Sequence, residues 1–374
     1  MPDPPCISFL HNLHNADITY QFVRYDIIPY FCIHKLLVSL KMKYLLPAII
    51  LSLAVIGSMI TYARSNNHEF TPTEPESTLN VIGYFSTNDT LIYWINQSNW
   101  QLTGSDTIKT SGISTKVRLT VADSTSTGYK MNYTFLELQC DSVEDSDYNR
   151  LLNRITENIY KKIIGTTIHF ETDEFSTITK FNNIGQIKKQ VKSLFRKAMK
   201  ELLQLPEIAS LKEYGLDIRA MTHKVKPDKL VEVYLEELNL LFLCHGLVYN
   251  LGKSHTHKDA TETTYENDLY STVELDTLDG TYSIKTEVIN IIPRSAIKEM
   301  VGGLVEVMSN DYITESFNSG FDVQVDEDGI YNSYFSSDFL AHGWPYRIVK
   351  QTSMTIKGRG KSNQTYIYLD YINY

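Results

Sequence analysis

The sequence predicts an α+β fold, in which a large curved antiparallel sheet built from hairpins packs around a few central helices. Three observations predict it. Short turns join alternating strand segments, apolar stripes at helical spacing occupy the middle of the chain, and the strands come in hairpins instead of singly between helices, as a parallel sheet would need. We expect this domain to cover residues 78–374.

The first series of elements predicts strands, a hairpin and a helix. Leu91–Ile95 is a compact apolar run, and Thr115–Val121 alternates in period two before the turn-like segment ADSTSTG. Tyr129–Leu138 resumes the alternation, which predicts a hairpin. A helix is predicted over residues 145–164, and strand character returns between residues 166 and 181.

A second series of elements begins after residue 262. Thr272–Leu278 leads through the turn sequence Asp279-Gly280 into Tyr282–Ile289, which predicts a second hairpin. Pro293 begins a helix that is predicted to reach Met308. The later strand segments are Phe321–Val325 and Ile330–Phe335, which predict a third hairpin, and Tyr346–Ile356 and Gln364–Ile372, which flank a turn at Gly358–Lys361.

The order of hairpin, helix and hairpin therefore occurs twice, in residues 78–183 and in residues 262–374. Internal duplication is one interpretation, and chance repetition of secondary structure is the other, because no fixed sequence period relates the two copies. A helical middle, residues 184–246, separates them. Its predicted helices are Ile184–Leu205, which has one apolar stripe, and Leu230–Cys244, which is apolar nearly all round.

Residues 41–63, KMKYLLPAIILSLAVIGSMITYA, form the most apolar stretch of the chain. Lysines before an uncharged run, with a small residue at its end, predict an export signal. We interpret residues 42–63 as a signal peptide cleaved after Ala63, with an uncleaved membrane anchor as the alternative. Residues 1–41 are then an upstream extension before the true initiator or, alternatively, a real leader. Residues 64–77 are predicted to form a flexible lead-in.

Composition also favours a compartment outside the cytoplasm. The chain has 25 Tyr, which suits half-buried β-surface facing water. We expect the protein in the periplasm or cell envelope, or secreted. After residue 63 the chain keeps 31 Lys and Arg against 41 Asp and Glu, and this net charge of −10 argues against nucleic acid as a partner. Cys140 and Cys244 either form a disulfide or are two separate thiols.

No catalytic motif, cofactor motif or metal-ligand spacing is present in the sequence, so no catalytic residue, cofactor or metal is predicted. His255 and His257 would share one face of a strand, as metal ligands do, yet GKSHTHKDATET has the composition of a solvated loop. His245 is interpreted as a helix-end residue bonded to a carbonyl. The acidic clusters at residues 141–147 and 326–328 lack the spacing of a calcium loop.

The predicted helix 184–205 has a basic face as well as its apolar stripe. A cationic amphipathic helix can lie on anionic lipid, so peripheral membrane contact is one interpretation. The other is a solvated face, or pairing with the acidic residues Glu232, Glu236 and Glu237. The basic residues are Lys188, Lys189, Lys192, Arg196, Lys197 and Lys200.

Two segments resemble a known group of proteins. Asp338–Arg347 contains Gly343-Trp344-Pro345 before a KQTSMTIKG strand, and Phe181-Asn182-Asn183 precedes a charged helix. These segments resemble secreted proteins of unknown function from Bacteroidota, in which a Gly-Trp-Pro turn precedes a late strand. The resemblance would cover most of residues 78–374 and implies no catalytic residue. On the residues alone, Gly343-Trp344-Pro345 is a turn with an aromatic anchor.

Three functional hypotheses follow from these observations. The leading one is an exported, non-enzymatic envelope protein whose sheet and helices enclose an apolar groove for a lipid or another hydrophobic ligand. Its architecture would be similar to that of periplasmic lipoprotein carriers. The alternative is an interaction module whose aromatic strands bind another envelope protein or a glycan. The third is a hydrolase that uses a carboxylate pair.

Overall fold

The computed structural model describes residues 77–142, 164–202, 204, 227–261, 265–299, 321 and 325–374. Within these ranges the protein is mainly antiparallel β, with thirteen strands and two long helices. The predicted α+β class is therefore corrected, although the predicted large antiparallel sheet is confirmed. The strands are longer than the apolar segments that predicted them, because polar residues at their ends continue the backbone pairing.

The strands and helices have the following bounds in chain order. The strands of the first half are β1 Thr78–Asn80, β2 Thr90–Thr103, β3 Asp106–Thr125, β4 Gly128–Ser142, β5 Thr167–Thr172 and β6 Ile178–Phe181. The helices are α1 Ile184–Leu202 and α2 Pro227–Phe242. The later strands are β7 Val248–Asn250, β8 Gly252–Lys258, β9 Glu266–Leu275, β10 Tyr282–Ile292, β11 Gly329–Phe339, β12 Pro345–Ile356 and β13 Arg359–Asn373.

One open sheet contains eleven of these strands, in the order β6-β5-β4-β3-β2-β13-β12-β11-β10-β9-β8. The neighbouring strands pair antiparallel, and β1 and β7 form a separate two-stranded sheet. The segments 78–183 and 262–374 supply the two sides of the large sheet and meet at the pair β2–β13, with β8 added at one edge. Internal duplication stays a prediction.

Register defines two faces of the large sheet. Ile95 lies opposite Ile367, and Gln97 lies opposite Thr365, so these four side chains project from the same face. The alternate residues of β2 on this face are buried, whereas their neighbours are half-exposed. We call it the inner face, because its apolar residues share one core with α1 and α2. The opposite face is the outer face.

The two predicted central helices are confirmed with small shifts of their ends. In α1, Ile187 and Val191 are buried on the stripe that the sequence predicts. α2 begins earlier than predicted, at Pro227, because proline suits the first turn of a helix, where its missing N–H has no helical partner. After α2 the chain turns at Gly246, which has a φ of 78°.

Two predicted hairpins are confirmed, and both are longer than predicted. β3 pairs with β4, and β9 pairs with β10 across the turn that contains Asp279 and Gly280. Gly280 has a φ of 76°, and the Asp279 carboxylate accepts a hydrogen bond from the Thr281 backbone N–H at 2.8 Å. The turn residues therefore act as the sequence predicts.

The third predicted hairpin is wrong in its first strand. Phe321 is helical, and Val325 donates its backbone N–H to the Phe321 carbonyl at 2.8 Å, which is the spacing of a helical bond. β11 pairs instead with β10 and β12. Residues 321–325 alternate apolar and polar side chains, which is the period of a strand, so the local pattern itself predicts a strand where Phe321 is helical.

Two further segments differ from the prediction. The last hairpin turn is tighter than Gly358–Lys361, because Lys357 and Gly358, with φ values of 52° and 68°, complete the turn, and β13 begins at Arg359. The GKSHTHK segment is the edge strand β8 and not a loop, since it pairs with β9 along its whole length.

Several predicted segments lie outside the described residues. They are the extension, the signal and nearly all of the lead-in in residues 1–76, most of the helix predicted over residues 145–164, and residues 300–308 of the helix predicted from Pro293. Arg294–Glu299 is helical as predicted. No helix in the described part of the chain combines the length and the apolar character needed to cross a membrane.

Candidate functional site

The inner face carries a continuous apolar core beneath the two helices, which we call the near cluster. It combines strand residues such as Tyr93 and Ile348 with Leu238, Leu241 and Phe242 of α2, all of which are buried. The Tyr93 hydroxyl donates a hydrogen bond to the Pro345 carbonyl at 2.9 Å. Burial raises the pKa of this hydroxyl, so it is a neutral part of the core.

Among the described residues, a second apolar group, the far cluster, is buried on the same face and is separate from the near cluster. Phe321 is fully buried in it, and the cations of Arg294 and Lys298 lie about 6 Å from the centre of the Phe321 ring. The far cluster consists of Ile292, Ile297, Phe321, Val325, Tyr331, Met354 and Ile356.

Polar side chains divide the two clusters. Along β12 the inner-facing residues are Ile348, Lys350, Thr352, Met354 and Ile356, and all five are buried. The first belongs to the near cluster and the last two to the far cluster, so the lysine and the threonine lie between them. Register partners continue this polar row across neighbouring strands. We call these residues the polar belt. It consists of the register row Gln97, Thr365, Lys350 and Thr286, in which Phe335 lies between Lys350 and Thr286, and of Thr352, two residues further along β12.

α2 meets the polar belt through two adjacent glutamates. Glu236 accepts a hydrogen bond from Nζ of Lys350 at 3.2 Å, and the side chains of this ion pair are 15% and 11% exposed. Oε1 of the buried Glu237 accepts a hydrogen bond from Nε2 of Gln97 at 2.9 Å. These two glutamates therefore bond to side chains of the sheet. Pairing with the lysines of α1 was one interpretation of the sequence.

Burying the side chains of the polar belt costs free energy, and a core that only stabilised the fold would not need them. Transferring a carboxylate and an ammonium from water costs several kcal/mol per ion, and their attraction offsets this cost only in good geometry. Apolar residues of similar volume often stabilise such a position equally well. The arrangement, two apolar surfaces with a few convergent polar groups between them, is the composition that small-molecule sites commonly have.

An aromatic cluster closes one end of the near cluster. The fully buried ring of Trp344 stacks on Phe85, with centroids 3.6 Å apart, and it meets Phe242 of α2 edge-on. Gly343, with a φ of 90°, precedes this tryptophan in a turn in which the Leu340 N–H bonds to the Trp344 carbonyl. The turn with an aromatic anchor that the sequence predicts is thus confirmed.

His245 lies inside this aromatic cluster. Its Nε2 is 2.9 Å from the Gly343 carbonyl oxygen, so Nε2 carries the proton and donates, as the predicted carbonyl contact requires. Nδ1 is buried and has no hydrogen-bond partner within the described residues. Burial lowers the pKa of His245 from 6.5 to about 4, although its backbone hydrogen bonds oppose the shift. The imidazole is therefore neutral at neutral pH.

This histidine should make stability depend on pH. The unfolded chain takes up the proton below pH 6.5, whereas the folded protein resists it down to about pH 4. Its contribution, about 3 kcal/mol, is therefore complete above pH 6.5, decreases as the pH falls below that value, and is lost by about pH 4. Chemical denaturation across this range should show a weaker pH dependence in His245→Gln. His169→Gln, at an exposed position, is the reference substitution, and a slope in His245→Gln no weaker than in this reference would contradict the assignment.

The two histidines of β8 converge on one carboxylate. His255 Nε2 and His257 Nδ1 lie 2.8 and 3.0 Å from the same oxygen of Asp268 on β9, and His255 stacks on Tyr270. The carboxylates of Asp268 and Asp259 raise the pKa of His257. Within the described residues, no group of three or more His, Cys, Asp or Glu side chains could hold a metal ion.

The other candidate residues have structural partners. Asp141 pairs with Lys109, and Asp326 pairs with Lys357. Asp328 accepts a hydrogen bond from the Arg294 backbone N–H at 2.8 Å, where the short helix begins. The rest of the first acidic cluster, residues 143–147, lies outside the described residues. Cys140 on β4 and the buried Cys244 are separate thiols in the structure, not a disulfide.

The outer face also carries aromatic residues, which stand in a row across neighbouring strands. Trp94, Tyr368 and Arg347 stand opposite one another on β2, β13 and β12. The Lys116 ammonium lies 5.1 Å from the centre of the Trp94 ring, and Arg347 donates a hydrogen bond to Asp338. Both rings are half-exposed, and the arginine is exposed. This row is a surface of aromatic and charged groups and not an apolar groove.

Comparison with known proteins gives little similarity. No family model and no curated protein matches the chain. Among solved structures the chain is similar to one described as "lipid-protein interactions in lipovitellin", with 7% identity and a TM-score of 0.35 over 78% of this chain and 26% of that one. The chain thus spans about a quarter of that protein's length. At this TM-score the similarity carries no argument about function.

Proposed function

We propose that this protein is an exported, non-enzymatic envelope protein that binds an amphiphilic lipid on the inner face of its sheet. The observation that carries the proposal is the buried polar belt between two apolar clusters on one sheet face. Acyl chains need apolar surface, and a head group needs a few convergent donors and acceptors. The inner face offers both within four alternate residues of β12, from Ile348 to Met354 through Lys350 and Thr352.

The way α2 attaches to the sheet supports a ligand that enters between them. At the polar belt the helix is bonded through Glu236 to Lys350 and through Glu237 to Gln97. When such polar groups separate, they can form hydrogen bonds to water or to a lipid head group instead. Apolar side chains that separate lose their contacts without replacement. In the proposed complex the head group bonds to the belt, and the acyl chain packs against apolar side chains beside it.

Native mass spectrometry of the full chain, expressed with its export segment, tests this proposal. We expect a stoichiometric adduct that is removed by organic solvent and that lipid analysis identifies as an acyl-chain amphiphile. A clean mass of the unliganded protein, with no extractable lipid, would overturn the proposal.

Tryptophan quenching by a fatty acid with a brominated acyl chain distinguishes the two faces, because the three tryptophans divide between them. Trp94→Phe/Trp100→Phe keeps only Trp344 of the near cluster, and Trp344→Phe keeps only the two tryptophans of β2. Binding on the inner face predicts quenching in the first variant and none in the second. The reverse pattern would place the ligand on the outer face.

A second candidate function, binding of an envelope protein or a glycan, is supported by the outer face. The register row of Trp94, Tyr368 and Arg347 combines partly exposed rings with a charged group. Aromatic and arginine side chains are enriched where proteins recognise partners. A clean unliganded mass together with capture of the wild-type chain, but not of Trp94→Ala/Tyr368→Ala, by envelope extract would favour this function.

A further inference from the structure

α1 carries a cationic surface on its exposed side. Six side chains of this helix are basic, and every one is exposed. Glu201 is the single acidic residue of the helix. This local positive charge stands out, because the chain as a whole has a net charge of −9. The six residues, which we call the cationic face, are Lys188, Lys189, Lys192, Arg196, Lys197 and Lys200.

The cationic face points away from the protein. At about 100° per residue, its six residues fall within one half of the helix circumference, and no acidic residue lies in that half. Ile187 and Val191 lie on the other half and are buried in the near cluster, where α1 also contacts α2. The charged groups therefore form one outward surface that runs along a helix about 28 Å long.

The charges on this surface have no counter-ion in the described part of the chain, since none of the six side chains takes part in an ion pair there. Two of the three glutamates that the sequence suggested as their partners are bonded to the sheet, because Glu236 pairs with Lys350 and Glu237 accepts from Gln97. Glu201 lies outside the cationic half of the helix. Six like charges repel one another at this spacing, so an anionic partner would stabilise the surface.

We propose that the cationic face of α1 docks on a membrane surface rich in anionic phospholipid. Five of the six cations are lysines, whose flexible point charges suit the diffuse field of lipid head groups. Recognition of nucleic acid or of a phosphorylated peptide favours arginine, which binds phosphate through two parallel hydrogen bonds. The cationic half also lacks aromatic side chains for stacking on bases. Charge complementarity and a one-sided linear surface therefore favour a lipid plane.

The proposal is tested by sedimentation of the full chain with vesicles of phosphatidylcholine alone and of phosphatidylcholine with phosphatidylglycerol. We expect binding only to the anionic vesicles and its loss at high salt. Lys192→Glu/Arg196→Glu should weaken binding at least about tenfold, because each cation near anionic lipid contributes appreciably. The new glutamates stand one turn from Lys188 and Lys200, so the helix should persist, which circular dichroism checks.

The matched control is Lys253→Glu/Lys258→Glu, which makes the same change in net charge on the exposed strand β8. It should bind anionic vesicles like the wild type. Equal weakening in both double variants would mean that only net charge matters and would overturn the proposal. Failure of the wild-type chain to bind anionic vesicles would also overturn it, and binding to poly-glutamate in that case would assign the face to an acidic macromolecule.

Discussion

Gly343→Ala is expected to lower the free energy of unfolding by more than about 3 kcal/mol, or to prevent folding. A Cβ at Gly343 would lie 2.5 Å from the Ile82 carbonyl oxygen and 2.8 Å from the Gly83 Cα. Both are backbone atoms, so no side-chain rotation relieves the overlap. The turn would have to separate from the 81–85 segment, and the stacking of Trp344 on Phe85 would be lost with it.

The control for this substitution is Gly252→Ala. Gly252 has a φ of 103°, close to that of Gly343, but nothing lies within 4 Å of its added Cβ. This variant should show only the backbone penalty of about 1–2 kcal/mol. Urea denaturation followed by tryptophan fluorescence and circular dichroism measures both losses. Similar losses in the two variants would show that the close approach to Ile82 contributes nothing.

Lys350→Met is expected to lower the free energy of unfolding by about 3 kcal/mol, because it leaves the Glu236 carboxylate in a mostly buried site without its ammonium partner. The double variant Lys350→Met/Glu236→Gln should recover part of the loss, since an amide is cheaper to bury than a carboxylate. Denaturation of the wild type, both single variants and the double variant gives the coupling energy of the pair, expected to exceed about 1 kcal/mol.

The exposed pair of Lys130 and Asp123, 2.8 Å apart, is the reference for this cycle. Lys130→Met and Asp123→Asn should show no measurable coupling, because water and salt screen exposed charges. A coupling energy for Lys350 and Glu236 no larger than this reference would contradict the view that α2 is fastened to the sheet at the polar belt.

Local elements could be predicted where one residue pattern decides the structure. The stripe containing Ile187 and Val191 has helical period and one buried side, so α1 was predictable almost to its ends. Asp279 and Gly280 specify a tight turn through backbone conformation and side-chain bonding, so the β9–β10 hairpin followed. In both cases the information lies within a few neighbouring residues.

Pairing between distant segments could not be predicted in the same way. Alternation identifies β2 and β13 as strands, but it does not say that they pair with each other. β8 lacks even the alternation, because each of its residues is exposed, and only its backbone bonds to β9 make it a strand. The fold class was therefore predicted with too much helix, although the antiparallel arrangement followed from the short turns.

The polar belt was missed although one signal for it is present in the sequence. Ile348, Lys350, Thr352, Met354 and Ile356 occupy every second position of one strand, so a charged residue stands in the apolar phase. A lysine at such a position is either buried together with a charged partner or lies on an exposed strand. Identifying Glu236 as the partner requires the position of α2 on the sheet, which is a tertiary property.

The central strand pair has a consequence for how the chain acquires its fold. β2 is the first strand of the large sheet in chain order and β13 is the last, yet they are neighbours in its middle. During synthesis, the edge of β2 that pairs with β13 therefore has no partner until the whole sheet-forming sequence has emerged. Contacts this distant form slowly, and an unpaired strand edge invites aggregation. The nascent protein should consequently depend on chaperones for protection until its last strand arrives.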